Sequence, residues 1–177
     1  MYLIGVDYSI SCPAVCVYNG VTKPKPSDCQ FFYLTKTKKW IGEWGNVSGQ
    51  EYPQWEHPME RYTLIADWAI DAMRKGRQDW MDIPKVAIED YGFNANGRIT
   101  DLAEHTGVLK KKLWDMDVPY TSVSVGSVKK SLTGKGNSTK EDIGFLYKAE
   151  MPTVLPAGIS PTADCLDAYG VMLSAFF

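Results

Sequence analysis

The chain has 177 residues and a formal net charge of −2, with 45% apolar, 12% aromatic and 23% charged residues. This balance excludes a disordered or low-complexity protein and predicts one domain over residues 1–177, long enough for a sizeable core. No apolar run reaches membrane-spanning length and the N-terminus lacks the basic region of a signal peptide, so the expectation is a soluble, cytoplasmic protein without a membrane partner.

The chain opens with strand-like segments over residues 2–8, 14–19 and 29–35, the first two joined through Pro13 and the third preceded by a polar loop with Pro24 and Pro26. Their short connections predict antiparallel pairing, because a parallel pair needs a long crossover. Residues 36–56 are rich in Trp, Gly and charge without periodicity and read as a long loop. Trp40, Trp44 and Trp55 are packing residues by default, with stacking on unpaired bases as the minority reading. A helix is predicted over 57–76, its apolar face formed by Met59, Tyr62, Leu64, Ile65, Trp68, Ala69 and Met73. A strand follows at 85–91, then a helix over 98–116 with Ile99, Leu102, Ala103, Thr106, Leu109 and Leu113 on one face. Val118 to Val125 alternates as a strand, 126–137 is a Gly- and Lys-rich segment, and 138–150 reads as a helix. Ser160 and Pro161 fit an N-cap and first helical position, opening a last helix that runs nearly to Phe177. The fold class is α/β: a mixed five-stranded sheet, its first three strands antiparallel, flanked by helices.

Four carboxylates stand out. Asp7 ends an apolar strand, Glu89 ends another, and Asp164 and Asp167 lie three residues apart on one face of the last helix. Both strand acids fall at C-terminal strand ends, where open α/β sheets place their sites, and the last helix brings its first turns beside them. Converging carboxylates repel, so such a cluster is normally held by divalent metal. A set of oxygen ligands with little His suits Mg²⁺. Two such ions roughly 3.5–4 Å apart activate water and stabilise the leaving oxygen in phosphodiester hydrolysis. His57 and His105 neighbour no motif acid, and His105 reads as an ordinary half-buried side chain. Each acid alone has a plainer reading, as a turn cap or a helix-dipole partner; together they make the stronger signal. Asp90 points to the opposite strand face from Glu89.

Cys12, Cys16, Cys29 and Cys165 form no C-x-x-C pair, so reduced, mostly buried thiols are expected. Lys110, Lys111, Lys112, Lys129, Lys130, Lys135 and Lys140 fall in one stretch opposed only by Asp115 and Asp117, and Lys36, Lys38 and Lys39 form a second group. A basic face on an acidic protein is therefore compatible with the total charge, although any single lysine is more often solvated surface.

This ordered set resembles the RuvC family of Holliday junction resolvases, within the ribonuclease H-like superfamily. Ile4 to Ser9 is similar to that family's first acid motif, Val86 to Glu89 to its second, and Ala163 to Asp167 to its third. The stretch from Val128 to Lys140 is similar to its basic segment with a G-x-G turn, Lys129 and Lys140 taking the family's lysine positions. The resemblance implies a homodimer, joined through the helix at about 98–116, that nicks two strands of a four-way junction symmetrically. It implies two Mg²⁺ ions per site, or Mn²⁺, held by Asp7, Glu89, Asp164 and Asp167, with Lys140 beside the scissile phosphate. Lys129, Lys130 and Lys135 are then DNA contacts, and Tyr91 and Phe93 are candidates for opening the junction, at an offset that differs from the family's. The loop 36–56 also departs from the compact family pattern, and divergence and small size suggest a phage-type member acting in the host cytoplasm. The competing readings are a ribonuclease H-type nuclease on RNA–DNA hybrid, a branched-DNA-binding module without catalysis, and an actin-like nucleotide-binding protein, for which the chain is too short.

Overall fold

The computed structural model describes residues 1–75, 83–90, 99–139 and 160–177. The predicted helix 138–150, apart from residues 138 and 139, which are not helical, and the site candidates Tyr91, Phe93 and Lys140 lie outside them.

Seven strands form one sheet: β1 (Tyr2–Asp7), β2 (Ala14–Asn19), β3 (Gln30–Thr35), β4 (Gly42–Trp44), β5 (Val47–Glu51), β6 (Lys85–Glu89) and β7 (Tyr120–Val123), in the order β4-β5-β3-β2-β1-β6-β7. The helices are α1 (Pro58–Lys75), α2 (Ile99–Asp115), α3 (Val125–Thr133) and α4 (Ser160–Phe176). The first three strands pair antiparallel as expected, while β1, β6 and β7 are parallel.

Two expectations need correction. The sheet has seven strands rather than five, because residues 36–56 are not a loop. A single 3₁₀ turn at Lys38–Trp40 leads into β4, the chain turns through Gly45 at φ 61°, and β5 returns to pair parallel with β3. The interposed β4 supplies the crossover that a parallel neighbour requires. Tyr33 fixes this addition: its hydroxyl donates to the Trp40 carbonyl at 2.5 Å and its ring stacks near Trp44. Gly49 leaves the room, since a Cβ there would stand 2.4 Å from the Trp40 carbonyl oxygen. The Gly- and Lys-rich segment is also mostly helical. Ser124 caps α3 by accepting the Ser127 N–H at 3.2 Å, and Gly134, at φ 77°, closes it in the left-handed conformation that glycine adopts without steric cost.

Strand alternation divides the core. Tyr2, Ile4, Val6 and Tyr8 face α1 and α2 together with Val15, Val17, Phe32, Leu34, Val86 and Ile88. From α1 the buried residues are Tyr62, Ile65, Ala66, Ala69, Ile70, Ala72 and Met73; Met59 and Leu64 of the expected face are exposed. The other sheet face carries Leu3, Ala14, Cys16, Phe31 and Tyr33 against α4. All four cysteines are buried, three of them here beside Cys165. Gly5 lets α4 approach the sheet: a Cβ would fall 2.1 Å from the Ala168 carbonyl oxygen and 2.6 Å from the Met172 nitrogen. No helix among the described residues is long and apolar enough to cross a membrane.

Candidate active site

Parallel pairing sets Val6 beside Ile88 and Glu89 beside Val123, so Asp7 and Glu89 end adjacent strands at one edge of the sheet. On β1 the α4-facing positions are Leu3, Gly5 and Asp7. The close approach at Gly5 therefore leads the first turns of α4, with Asp164 and Asp167, towards Asp7.

The electrostatics record this convergence. Asp7 is only 6% exposed and its carboxyl is pushed well above the usual carboxylate range, first by burial and then by Glu89, Asp164 and Asp167. A hydrogen bond from the Ser9 backbone opposes the shift. Glu89 is pushed up to about 7 by burial and by Asp167, with Lys129 opposing and Asp164 adding a little. The Cys165 thiol between the two helix acids is raised by burial, then by Asp164 and Asp7. Four acids from three distant stretches of chain thus share one field, in which the neighbouring carboxylates make ionisation of Asp7 and Glu89 harder.

The basic residues are placed less uniformly. Lys129, on α3, lies near enough to Glu89 to favour its charged form. Lys130 and Lys135 are exposed on the same helix and its C-terminal turn, where the Lys135 carbonyl accepts from Thr133 and Ser138. The lysines of α2 and α3 do not share one face: α2 packs on the sheet face of α1 and α3 against α4, while Lys111 pairs with Asp115 at 2.6 Å and Lys112 with Asp67 at 2.7 Å. Asp90, just beyond β6, is exposed.

Behind the site the sequence reading missed two groups. His105 is fully buried rather than half-buried. It stacks on Tyr8 at 4.1 Å and 5° between ring planes and meets Tyr62 at 5.4 Å. Burial, then the Arg61 charge, lowers its pKa to about 4; the Ser9 backbone opposes this, yet no hydrogen bond of good geometry reaches either ring nitrogen. The loop after Asp7 is pinned at Ile10, whose carbonyl accepts from Tyr52 Oη at 2.5 Å and from Arg61 at 2.8 Å. No local sequence signal marks either group, since one polar residue on a helix face looks the same buried or solvated.

The donor chemistry fits a hard divalent cation: oxygen donors only, with like charges in need of a counter-ion. Among the described residues, no three His, Cys, Asp or Glu side chains already form a closed ligand cage.

A mixed sheet with acids at the C-terminal ends of β1 and β6 and on the first turns of α4 defines a ribonuclease H-like α/β protein. Within that class part of the sequence is similar to RuvC proteins. Over 91 residues it is 34% identical to the crossover junction endodeoxyribonuclease RuvC of Campylobacter lari, covering 51% of this chain and 56% of that protein. Over 71 residues it is 34% identical to RuvC of Helicobacter pylori, covering 40% and 45%. The chain thus spans about half the length of the curated relatives it matches, and no family model matches it. In structure it aligns with Thermus thermophilus RuvC at a TM-score of 0.63 and 17% identity, covering 99% of this chain and 94% of that one. A structure of the same protein in complex with Holliday junction substrate aligns at 0.64 and 16%, covering 99% and 93%. The fold is shared along nearly the whole chain.

Proposed function

We propose that this protein is an endodeoxyribonuclease that resolves four-way DNA junctions by paired symmetric nicks. The observation that carries the reading is the convergence of Asp7, Glu89, Asp164 and Asp167 on one sheet edge, with Glu89 raised to about 7 by burial and its acidic neighbours. The names of the sequence relatives and the junction complex of the T. thermophilus protein support the choice of substrate.

Asp7, Glu89, Asp164 and Asp167 are the residues that would hold two Mg²⁺ or Mn²⁺ ions. Such ions, when bound, supply Lewis-acid activation of water and charge neutralisation at phosphorus. The chain's own part is to gather the acids on a rigid edge, with Gly5 seating α4 against β1. Lys129 keeps Glu89 ionised nearer neutral pH. Lys130, Lys135 and Lys140 bind the phosphate backbone, Lys140 next to the scissile group, and Tyr91 and Phe93 open the junction. Symmetric nicking needs two sites, so the acting species is a homodimer. The outward stripe of α2 that carries Ala103, Gly107 and the 73%-exposed Trp114 is the contact.

The deciding experiment incubates the protein with a four-way junction, a fork, linear duplex and an RNA–DNA hybrid, with and without Mg²⁺. Metal-dependent paired nicks in the junction are expected. Preferential cutting of the hybrid by a monomer would transfer the chain to the ribonuclease H reading, and tight junction binding without nicking would make it a binding module.

A further inference from the structure

The C-terminal edge of the sheet carries a second group of charges, outside the acid cluster and formed largely by the β4–β5 addition. β1, β3, β5 and β6 all run in one direction, so Thr35 and Glu51 end at the same edge as Asp7 and Glu89. Just past them, Lys36 Nζ lies 4.8 Å from the Tyr52 ring centre, and the Arg61 guanidinium lies 5.5 Å from that ring and 5.1 Å from the Trp55 ring. Lys38 and Lys39 are exposed alongside, Lys39 lying 4.7 Å from the Trp40 ring centre.

Among the described residues, no carboxylate pairs with Lys36, Lys38, Lys39 or Arg61. The nearby acids do not quench them: Glu51 and Glu56 form no ion pair there, and Glu60 accepts the Glu56 and His57 backbone N–H groups at 2.9 and 3.4 Å. Arg61 donates Nε to Tyr52 Oη and one terminal nitrogen to the Ile10 carbonyl, both at 2.8 Å, so neutral partners fix its plane while its charge stays unbalanced. Two cations lie within cation–π distance of one aromatic ring on the edge where the acids lie, and both would gain from an anion.

We infer that Lys36 and Arg61, backed by Tyr52 and Trp55, form a phosphodiester-binding site for a duplex arm of the DNA substrate. β3 and β5 lie about two and three strands from β1, or roughly 10–15 Å at normal strand spacing. At about 3.4 Å per nucleotide along one strand, this places the gripped phosphates about three to four nucleotides from the scissile bond. The site rests on the junction-nuclease reading for its ligand but uses none of the residues that carry that reading.

The test measures affinity by fluorescence anisotropy for a junction with native phosphates and for one carrying neutral methylphosphonates about three to four nucleotides from the scissile bond, across a salt series. Asp7→Asn serves as the background, so that binding is read without cleavage. Lys36→Gln and Arg61→Gln are each expected to weaken binding of the native junction about three- to ten-fold and to reduce the salt slope by about one, with little effect on the junction neutralised at those phosphates. Arg61→Lys should recover part of the loss, since it keeps the charge without the planar fork. Melting temperatures confirm that each variant folds; should Arg61→Gln fail to fold, Lys36→Gln alone decides. Unchanged affinity and slope in folded variants overturns the site while leaving the nuclease reading intact. Losses confined to Trp55→Ala, with no change in salt slope, would mean base stacking instead of phosphate binding and overturn it too. Absence of DNA binding by the parent protein would overturn both.

Discussion

Asp7 and Tyr8 are neighbours in the chain and belong to opposite environments. Asp7 looks towards α4, where three further acids crowd it and burial opposes its charge. Tyr8 looks towards α1 and α2, where it stacks on a His105 whose nitrogens, like the Tyr8 hydroxyl, lack hydrogen-bond partners. Both faces hold unsatisfied polar chemistry, but of different kinds. The acid face accumulates like charge, which an external cation relieves. The aromatic face holds polar groups that stay neutral, and packing alone compensates them. One side of the strand therefore crowds like charges together, and the other packs neutral polar groups among aromatic rings.

Removing the central charge should break this contrast most strongly. Asp7→Asn is expected to lower metal-dependent junction cleavage by about three orders of magnitude while junction binding survives. The group removed has a raised folded-state pKa, so its ionised form costs stability at neutral pH. The metal-free variant should therefore melt a few degrees above the parent, by about 2–4 °C for each kcal/mol at this chain length. Mg²⁺ should raise the melting temperature of the parent and not of the variant. A parent indifferent to Mg²⁺ would argue against the acids as ion ligands.

The aromatic face predicts an acid-sensitive term of the next size. His105 has a folded pKa of about 4 against an ordinary value near 6.5. Between those values the unfolded chain takes up a proton that the fold refuses, so stability falls as pH drops, by about 3 kcal/mol once pH is below 4. Glu89 acts in the opposite sense: with a folded pKa of about 7, it regains stability as pH falls from 7 towards 4.5. His105→Phe keeps the stack and removes the first effect, so its melting temperature should hold up better on acidification than the parent's. Parallel pH profiles for the two proteins would contradict the buried neutral imidazole.

Gly5→Ala perturbs the boundary between the faces. The new Cβ meets backbone atoms of α4, which cannot rotate away, at a cost of about 1–3 kcal/mol. Because the helix that must shift carries Asp164 and Asp167, cleavage should fall by more than the loss of folded protein accounts for. A variant that melts lower with full specific activity would show that the acids tolerate the displacement.

How far the sequence revealed these features depends on whether local or remote contacts decide each one. An apolar run ending in an acid is a local pattern, and it located Asp7 and Glu89; the i, i+3 spacing on an apolar helix located Asp164 and Asp167. β4 and β5 escaped because their register depends on Tyr33 meeting Trp40 and Trp44 around Gly49, contacts that no alternation within residues 42–51 encodes. His105 escaped because its burial is decided by Tyr8 and Tyr62. The lysines are the converse case: Lys110 to Lys135 are near in sequence, which left a common basic face possible, but α2 and α3 pack on opposite faces of the sheet.

Lys129 offers the finest test, because among the described DNA lysines it is the one that acts on an acid. It favours the ionised form of Glu89, so Lys129→Gln should push the Glu89 pKa further up. If cleavage needs Glu89 ionised, the acid limb of the pH–rate profile moves to higher pH. The variant then cuts several-fold more slowly near pH 6.5 and approaches the parent rate near pH 8.5. Lys129→Arg should restore the profile, since the charge is kept. A lysine that served only to grip phosphate would behave differently: its loss would weaken junction binding by the same factor at both pH values and leave the limb in place. The pH dependence of one substitution thus separates a lysine that tunes the acid cluster from one that holds the substrate.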